Sequence, residues 1–121
     1  MADKVLIIVA NSDPTNAQQM WTPLAQAMVA AAMEYQVEVI FTGRCVDLVR
    51  SASAANAVVL SDGRRIYDVL KETSMSGVSL KVCTMALELE ITELIPEIEE
   101  RIGGSYLIGE AMDDATETFT Y

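Results

Sequence analysis

Apolar and polar positions along this chain alternate between two rhythms, one of strands and one of helices. Lys4-Val-Leu-Ile-Ile-Val-Ala10 is a continuous apolar run rich in β-branched residues, the pattern of a central strand covered on both faces. It ends in Asn11-Ser-Asp-Pro-Thr-Asn16, a turn-rich loop with several residues able to cap a helix. A helix follows from about Ala17 to Tyr35, with Pro23 setting its regular start, or a kink, near Thr22. A second strand reads Val37-Glu-Val-Ile-Phe-Thr42, closed by Gly43. Cys45 to Arg50 reads as helical and Ser51 to Asn56 as a loop. Ala57-Val-Val-Leu60 fits either a short strand entering a turn or a helix end. Ile66 to Met75 is an amphipathic helix with Gly77 as its stop, and Val78-Ser-Leu-Lys-Val-Cys83 alternates as a strand. A helix is expected to begin near Thr84. The four-residue recurrence of Leu94, Ile98 and Ile102 predicts a helix ended by Gly103-Gly104. Tyr106 to Ala115 reads as a short helix and Thr116 to Tyr121 as a last strand. Strands alternating with helices define an α/β layered fold with a mostly parallel sheet of about five strands.

The second half of the first helix departs from the usual amphipathic pattern. Leu24, Ala25, Ala27, Met28, Val29, Ala30, Ala31, Ala32 and Met33 leave almost no polar stripe, and a helix apolar all round must be buried all round. One face covers the sheet. The other is expected to meet a second subunit, the alternative being burial within the monomer.

Length and composition narrow the class. A chain of 121 residues, 51% hydrophobic and 21% charged, is expected to form a single globular domain over residues 1–121. No apolar run reaches the roughly 18 residues of a membrane span, and Val5 to Ala10 is too short for a signal peptide. The chain is therefore read as cytoplasmic. The net charge of −10 is uneven: residues 1–83 carry seven basic and eight acidic side chains, residues 84–121 one and ten. Such a chain repels nucleic acid and anionic membrane. Its acidic half is a solubilising surface or a docking face for a basic partner.

The absence of histidine removes Ser-His and Cys-His catalysis and histidine metal sites; no metal ligand set is assigned. In an open α/β sheet, sites form beyond the carboxyl ends of strands. Three loops qualify: Asn11–Asn16, with Asn11, Ser12 and Asp13 as lining residues, Gly43–Cys45, and Cys83–Met85. Cys83 closes its strand and opens the expected helix, whose free N–H groups and dipole favour an anionic, nucleophilic sulfur. Thr84 is placed to hydrogen-bond that sulfur or cap the helix, and Met85 continues the supporting loop. Lys81 shares a strand face with Cys83. Cys45 is a possible secondary thiol but is read as core, beside Val46 and Val49. The two thiols lie too far apart in sequence for a CxxC pair. There is no GxxxxGK[ST] or GxGxxG phosphate loop, and Asp13 would repel a phosphate. Trp21 is assigned to packing or an interface.

Gly77-Val-Ser-Leu-Lys-Val-Cys-Thr-Met-Ala-Leu-Glu-Leu-Glu-Ile91 resembles the cysteine-centred segment of the DsrE/DsrF-like family of sulfur-relay proteins. Ala25 to Thr42, Asp62-Gly-Arg-Arg-Ile-Tyr-Asp-Val-Leu70 and Gly103-Gly-Ser-Tyr-Leu107 extend the resemblance over most of the chain. Glu90 stands where that family often has glycine, and Gly43-Arg44-Cys45 replaces a more aromatic stretch. The resemblance implies a flavodoxin-like three-layer α/β/α subunit, trimers or hexamers, and a cytoplasmic sulfur carrier or sulfurtransferase holding sulfane sulfur as a persulfide on Cys83. It implies no metal or organic cofactor. Its implied partners are protein donors and acceptors of sulfur, such as small sulfur-carrier or rhodanese-like proteins, in sulfur oxidation or tRNA thiolation. Two alternatives stand beside it: a flavodoxin-like module binding a nucleotide or flavin at Asn11–Asn16, and a non-catalytic oligomeric scaffold with Cys83 merely buried.

Overall fold

A computed structural model of the chain describes residues 3–83 and 93–121. Five strands, β1 (Lys4–Val9), β2 (Gln36–Phe41), β3 (Ser79–Cys83), β4 (Ile98–Ile102) and β5 (Thr116–Thr120), form one sheet in the order β4-β3-β2-β1-β5. Every pairing is parallel. The helices are α1 (Ala17–Ala32), α2 (Ala52–Asn56), α3 (Ile66–Met75) and α4 (Gly104–Ala111), with a 3₁₀ segment over Gly43–Val49. This is the parallel α/β sheet that the alternation of elements predicts, in the three-layer, flavodoxin-like form that the resemblance implies.

The strand order explains the layers. The chain marches outward from β1 to β4, then returns past them all to set β5 on the far side of β1. Right-handed crossovers put helices of the outward and return journeys on opposite faces. The larger core accordingly lies on the α1 and α3 face and includes Ile7, Val9, Leu24, Val39, Phe41, Leu70 and Leu80. A smaller cluster of Leu6, Ile40, Cys83 and Ile102 packs against Tyr106, Leu107 and Ala111 of α4.

Local signals set the element ends. Asn16 caps α1, accepting from the Gln19 N–H at 3.0 Å. The helix runs from Ala17 through the buried Pro23 and stops at Ala32, so Pro23 does not set its start, and the last turn is shorter than expected, with Glu34 at φ 70°. α3 occupies Ile66–Met75 as predicted, followed by Gly77 at φ 92°. Val59 pairs with Arg65 in an isolated antiparallel bridge, which makes Ala57–Leu60 an approach to a turn.

Three expectations are corrected. Ser51–Asn56 is no loop: Ser51 accepts from the Ala54 N–H at 3.1 Å and starts α2. The helix predicted over Cys45–Arg50 is of the tighter 3₁₀ kind and spans Gly43–Val49. The helix predicted across Leu94–Ile102 is instead strand β4. A register shift against β3 between Leu80 and Lys81 lets Ile98 pack into the large core and Ile102 into the small one. A bulge of this kind turns a strand's side chains over. The helix expected near Thr84 lies outside the described residues.

Candidate functional site

Two of the predicted loops meet at the carboxyl edge of the sheet. Gly43, at φ 58°, brings the chain after β2 so close to β1 that an added Cβ would stand 3.4 Å from the Ala10 carbonyl oxygen. The next two residues then reach across: Arg44 Nε and Cys45 Sγ each donate to the Ser12 carbonyl at 3.1 Å. Four amides of the Asn11–Asn16 loop are engaged within the protein, that of Asn11 by the Tyr121 carbonyl at 2.9 Å. The Asp13 N–H donates to Gln19 Oε1 at 2.6 Å, and the Thr15 N–H and hydroxyl donate to Asp13 Oδ1 at 2.9 and 2.7 Å. The Asn16 N–H donates to the Asp13 carbonyl. These bonds from Thr15 hold the Asp13 carboxyl below its usual range. A loop with these amides engaged and a firmly ionised carboxylate is poorly suited to cradle a phosphate.

Cys45 is fully buried in the large core, and burial pushes its thiol pKa up. This agrees with its reading as a core residue. Cys83 closes β3 at the same edge of the sheet but belongs to the small cluster on the other face. Its neighbours there are Leu6, Ile40 and Ile102, and it is 1% exposed. The sheet therefore separates the two thiols. Thr84 and Met85, the expected supports of Cys83, lie outside the described residues. Trp21 packs against the large core with Arg64 over its ring at 4.6 Å.

The polar centre of the α4 face was not read from the sequence. Lys4 of β1, Glu38 of β2 and Lys81 of β3 converge beneath α4. Glu38, 3% exposed, lies 2.5 Å from Lys4 Nζ and 3.3 Å from Lys81 Nζ. The Tyr106 hydroxyl accepts from Lys81 at 3.0 Å and donates to the Glu38 carboxylate oxygens at 2.8 and 2.9 Å. Glu110 takes a bond from Lys4 at 2.7 Å, and Glu100 sits 3.1 Å from Lys81. Burial opposes charge on each member, yet the pairing outweighs it. The Lys81 pKa is raised by its bonds to Tyr106 and Glu100 and by the charge of Glu38. The Lys4 pKa is raised through Glu110 and Glu38, and the Glu38 pKa is lowered through Lys4 and Tyr106. Lys81 does share the Cys83 face, as its spacing predicts, but it is engaged in this network. One signal was available: Lys4 opens one strand and Glu38 and Lys81 stand inside two others, and a buried charge needs a partner.

Fold and edge together define an all-parallel α/β protein with one buried cysteine ending a central strand. The chain belongs to the DsrE/DsrF-like family, whose model matches residues 4–120. Comparison with curated proteins finds no match. Among the described residues no helix is long and apolar enough to cross a membrane, and no group of three or more acidic or cysteine side chains is placed to hold a metal.

Proposed function

We propose that this chain is a cytoplasmic sulfur carrier or sulfurtransferase that works as one domain and holds sulfane sulfur on Cys83. The observation that carries the reading is a cysteine ending β3 at the carboxyl edge of the sheet, in a chain of the DsrE/DsrF-like family. The Cys83 thiolate attacks the outer sulfur of a donor persulfide. A new S–S bond forms on Cys83, the donor's S–S bond breaks, and the donor leaves as a thiolate. The same step in reverse, onto an acceptor thiolate, discharges the sulfur. Redox state does not change overall, so the relay consumes no oxidant. Partners are proteins that present a thiol or persulfide, such as small sulfur-carrier or rhodanese-like proteins. The cytoplasm suits this chemistry because thiols stay reduced there.

Intact-mass measurement after exposure to polysulfide tests the reading. Wild type and Cys45→Ser should gain the mass of added sulfur, and Cys83→Ser should gain none. Loading that persists in Cys83→Ser and vanishes in Cys45→Ser overturns it.

We further propose that the subunit works as a homo-oligomer, a trimer or hexamer. Support comes from a groove of about 430 Å³ between α1, β1 and β5, lined by Val29, Met33, Tyr35 and Phe119 among others. These four side chains are exposed despite being large and apolar, and contiguous patches of that kind mark interaction surfaces.

A further inference from the structure

Sulfur exchange at a residue 1% exposed requires its cover to move. Among the described residues the cover on the Cys83 cluster is Ile8 of β1 together with Tyr106, Leu107 and Ala111 of α4. α4 is held lightly by apolar packing. None of its residues is buried, and Gly103 gives its start no side-chain cap. Ile108 and Met112 at its outer side are largely exposed.

Polar anchors hold it instead. Tyr106 and Glu110 are four residues apart, which stacks them on one helix face, and both reach down to the sheet. The Tyr106 hydroxyl sits between Lys81 and Glu38, and the Glu110 carboxylate meets Lys4. The two anchors are one turn apart and fasten to β1, β2 and β3. Lys81 leaves the same strand face as Cys83, two residues before it, so one anchor is planted on the face that carries the thiol.

We propose that Tyr106 and Glu110 are positioning residues that pin α4 over Cys83, so that breaking these polar bonds, more than separating apolar surfaces, governs access to the sulfur. A partner reaches Cys83 when α4 lifts, and the closed helix keeps a bound persulfide from stray thiols. The second clause rests on Cys83 as the sulfur-bearing residue; the pinning does not.

The two cysteines provide their own control, since Cys45 lies in the core on the opposite face. Native wild type, Tyr106→Phe and Glu110→Gln are treated with an aromatic disulfide reagent, and each thiol is followed by peptide mass mapping. Tyr106→Phe keeps the ring and removes only the hydroxyl. Both variants should speed Cys83 modification at least ~10-fold, the scale of losing one hydrogen bond to a charged group, while Cys45 keeps its wild-type rate. Equal acceleration of both thiols would indicate general loosening and overturn the proposal, as would an unchanged Cys83 rate. If Tyr106→Phe does not fold, Glu110→Gln decides alone. Polysulfide loading of the same variants separates the two readings. Selective acceleration without any loading leaves the pin standing and removes the relay. Loading without selective acceleration does the reverse.

Discussion

Glu38 sits inside β2, 3% exposed, and serves Lys4, Lys81 and Tyr106 at once. Removing one member of a buried charge network leaves the others uncompensated, a loss of about 3–5 kcal/mol. Glu38→Ala should fall at the low end, about 3 kcal/mol, because Lys4 keeps Glu110 and Lys81 keeps Glu100. Urea unfolding measures it. The same residue makes stability depend on pH. Its folded pKa lies below the ordinary value of 4.5, so the unfolded chain takes up the proton first. The stabilisation is complete above about 4.5 and is lost as pH falls through the folded value. Glu38→Gln should flatten that acid limb, read from unfolding midpoints between neutral pH and the acid range. Cys83 as a strand-ending thiol was legible, because an apolar alternation terminated there. Its burial was not, because the residues it clusters with, Leu6, Ile40 and Ile102, lie on other strands. Glu38 stood in plain view within Val37-Glu-Val-Ile-Phe, but its partners lie on other strands, and only strand order brings them together.

At the scale of elements, most strands and helices were legible from period and caps, and the failures have physical causes. Ile98 and Ile102 are four apart, a spacing that a helix and a strand both satisfy. The bulge against β3 then breaks even the strand's rule, sending the two isoleucines into different cores. No periodicity argument sees a bulge in advance, since it depends on the neighbour. The 3₁₀ segment after β2 was likewise hidden, although Gly43 announced a turn. Gly43 joins two site loops at φ 58° with the Ala10 carbonyl close by. Gly43→Ala places a side chain in left-handed backbone at a cost of about 1–2 kcal/mol, while the added methyl meets the Ala10 carbonyl at ordinary contact distance. A lowered urea midpoint with native strand content is the expected result.

At the scale of the molecule, the all-round apolar character of α1 was legible, and the structure leaves Val29 and Met33 about 60% exposed beside Phe119. On a chain of net charge −10, that groove has no charged lining, so two copies can approach there without direct repulsion. Light scattering should give wild type the mass of a trimer or hexamer, and Val29→Glu with Met33→Glu should yield a smaller species. A wild type of monomer mass would contradict the assembly. Strand order was out of reach of the sequence, because every βαβ unit reads alike whichever way the chain turns next.

That order has a consequence in time. β1 is an inner strand, and its partner on one side is β5, with Lys4 opposite Thr116 and Ile8 opposite Thr120. During synthesis from the N-terminus, β2 can dock as soon as α1 has formed, but the other flank of β1 stays open until Thr116–Thr120 has emerged. Closing so long a loop makes the last pairing slow, and an unpaired inner strand templates association with other chains. Nascent copies held close together on one message would therefore be exposed to mispairing along β1 until β5 arrives. The vulnerable moment in the life of this protein comes before its sheet is complete.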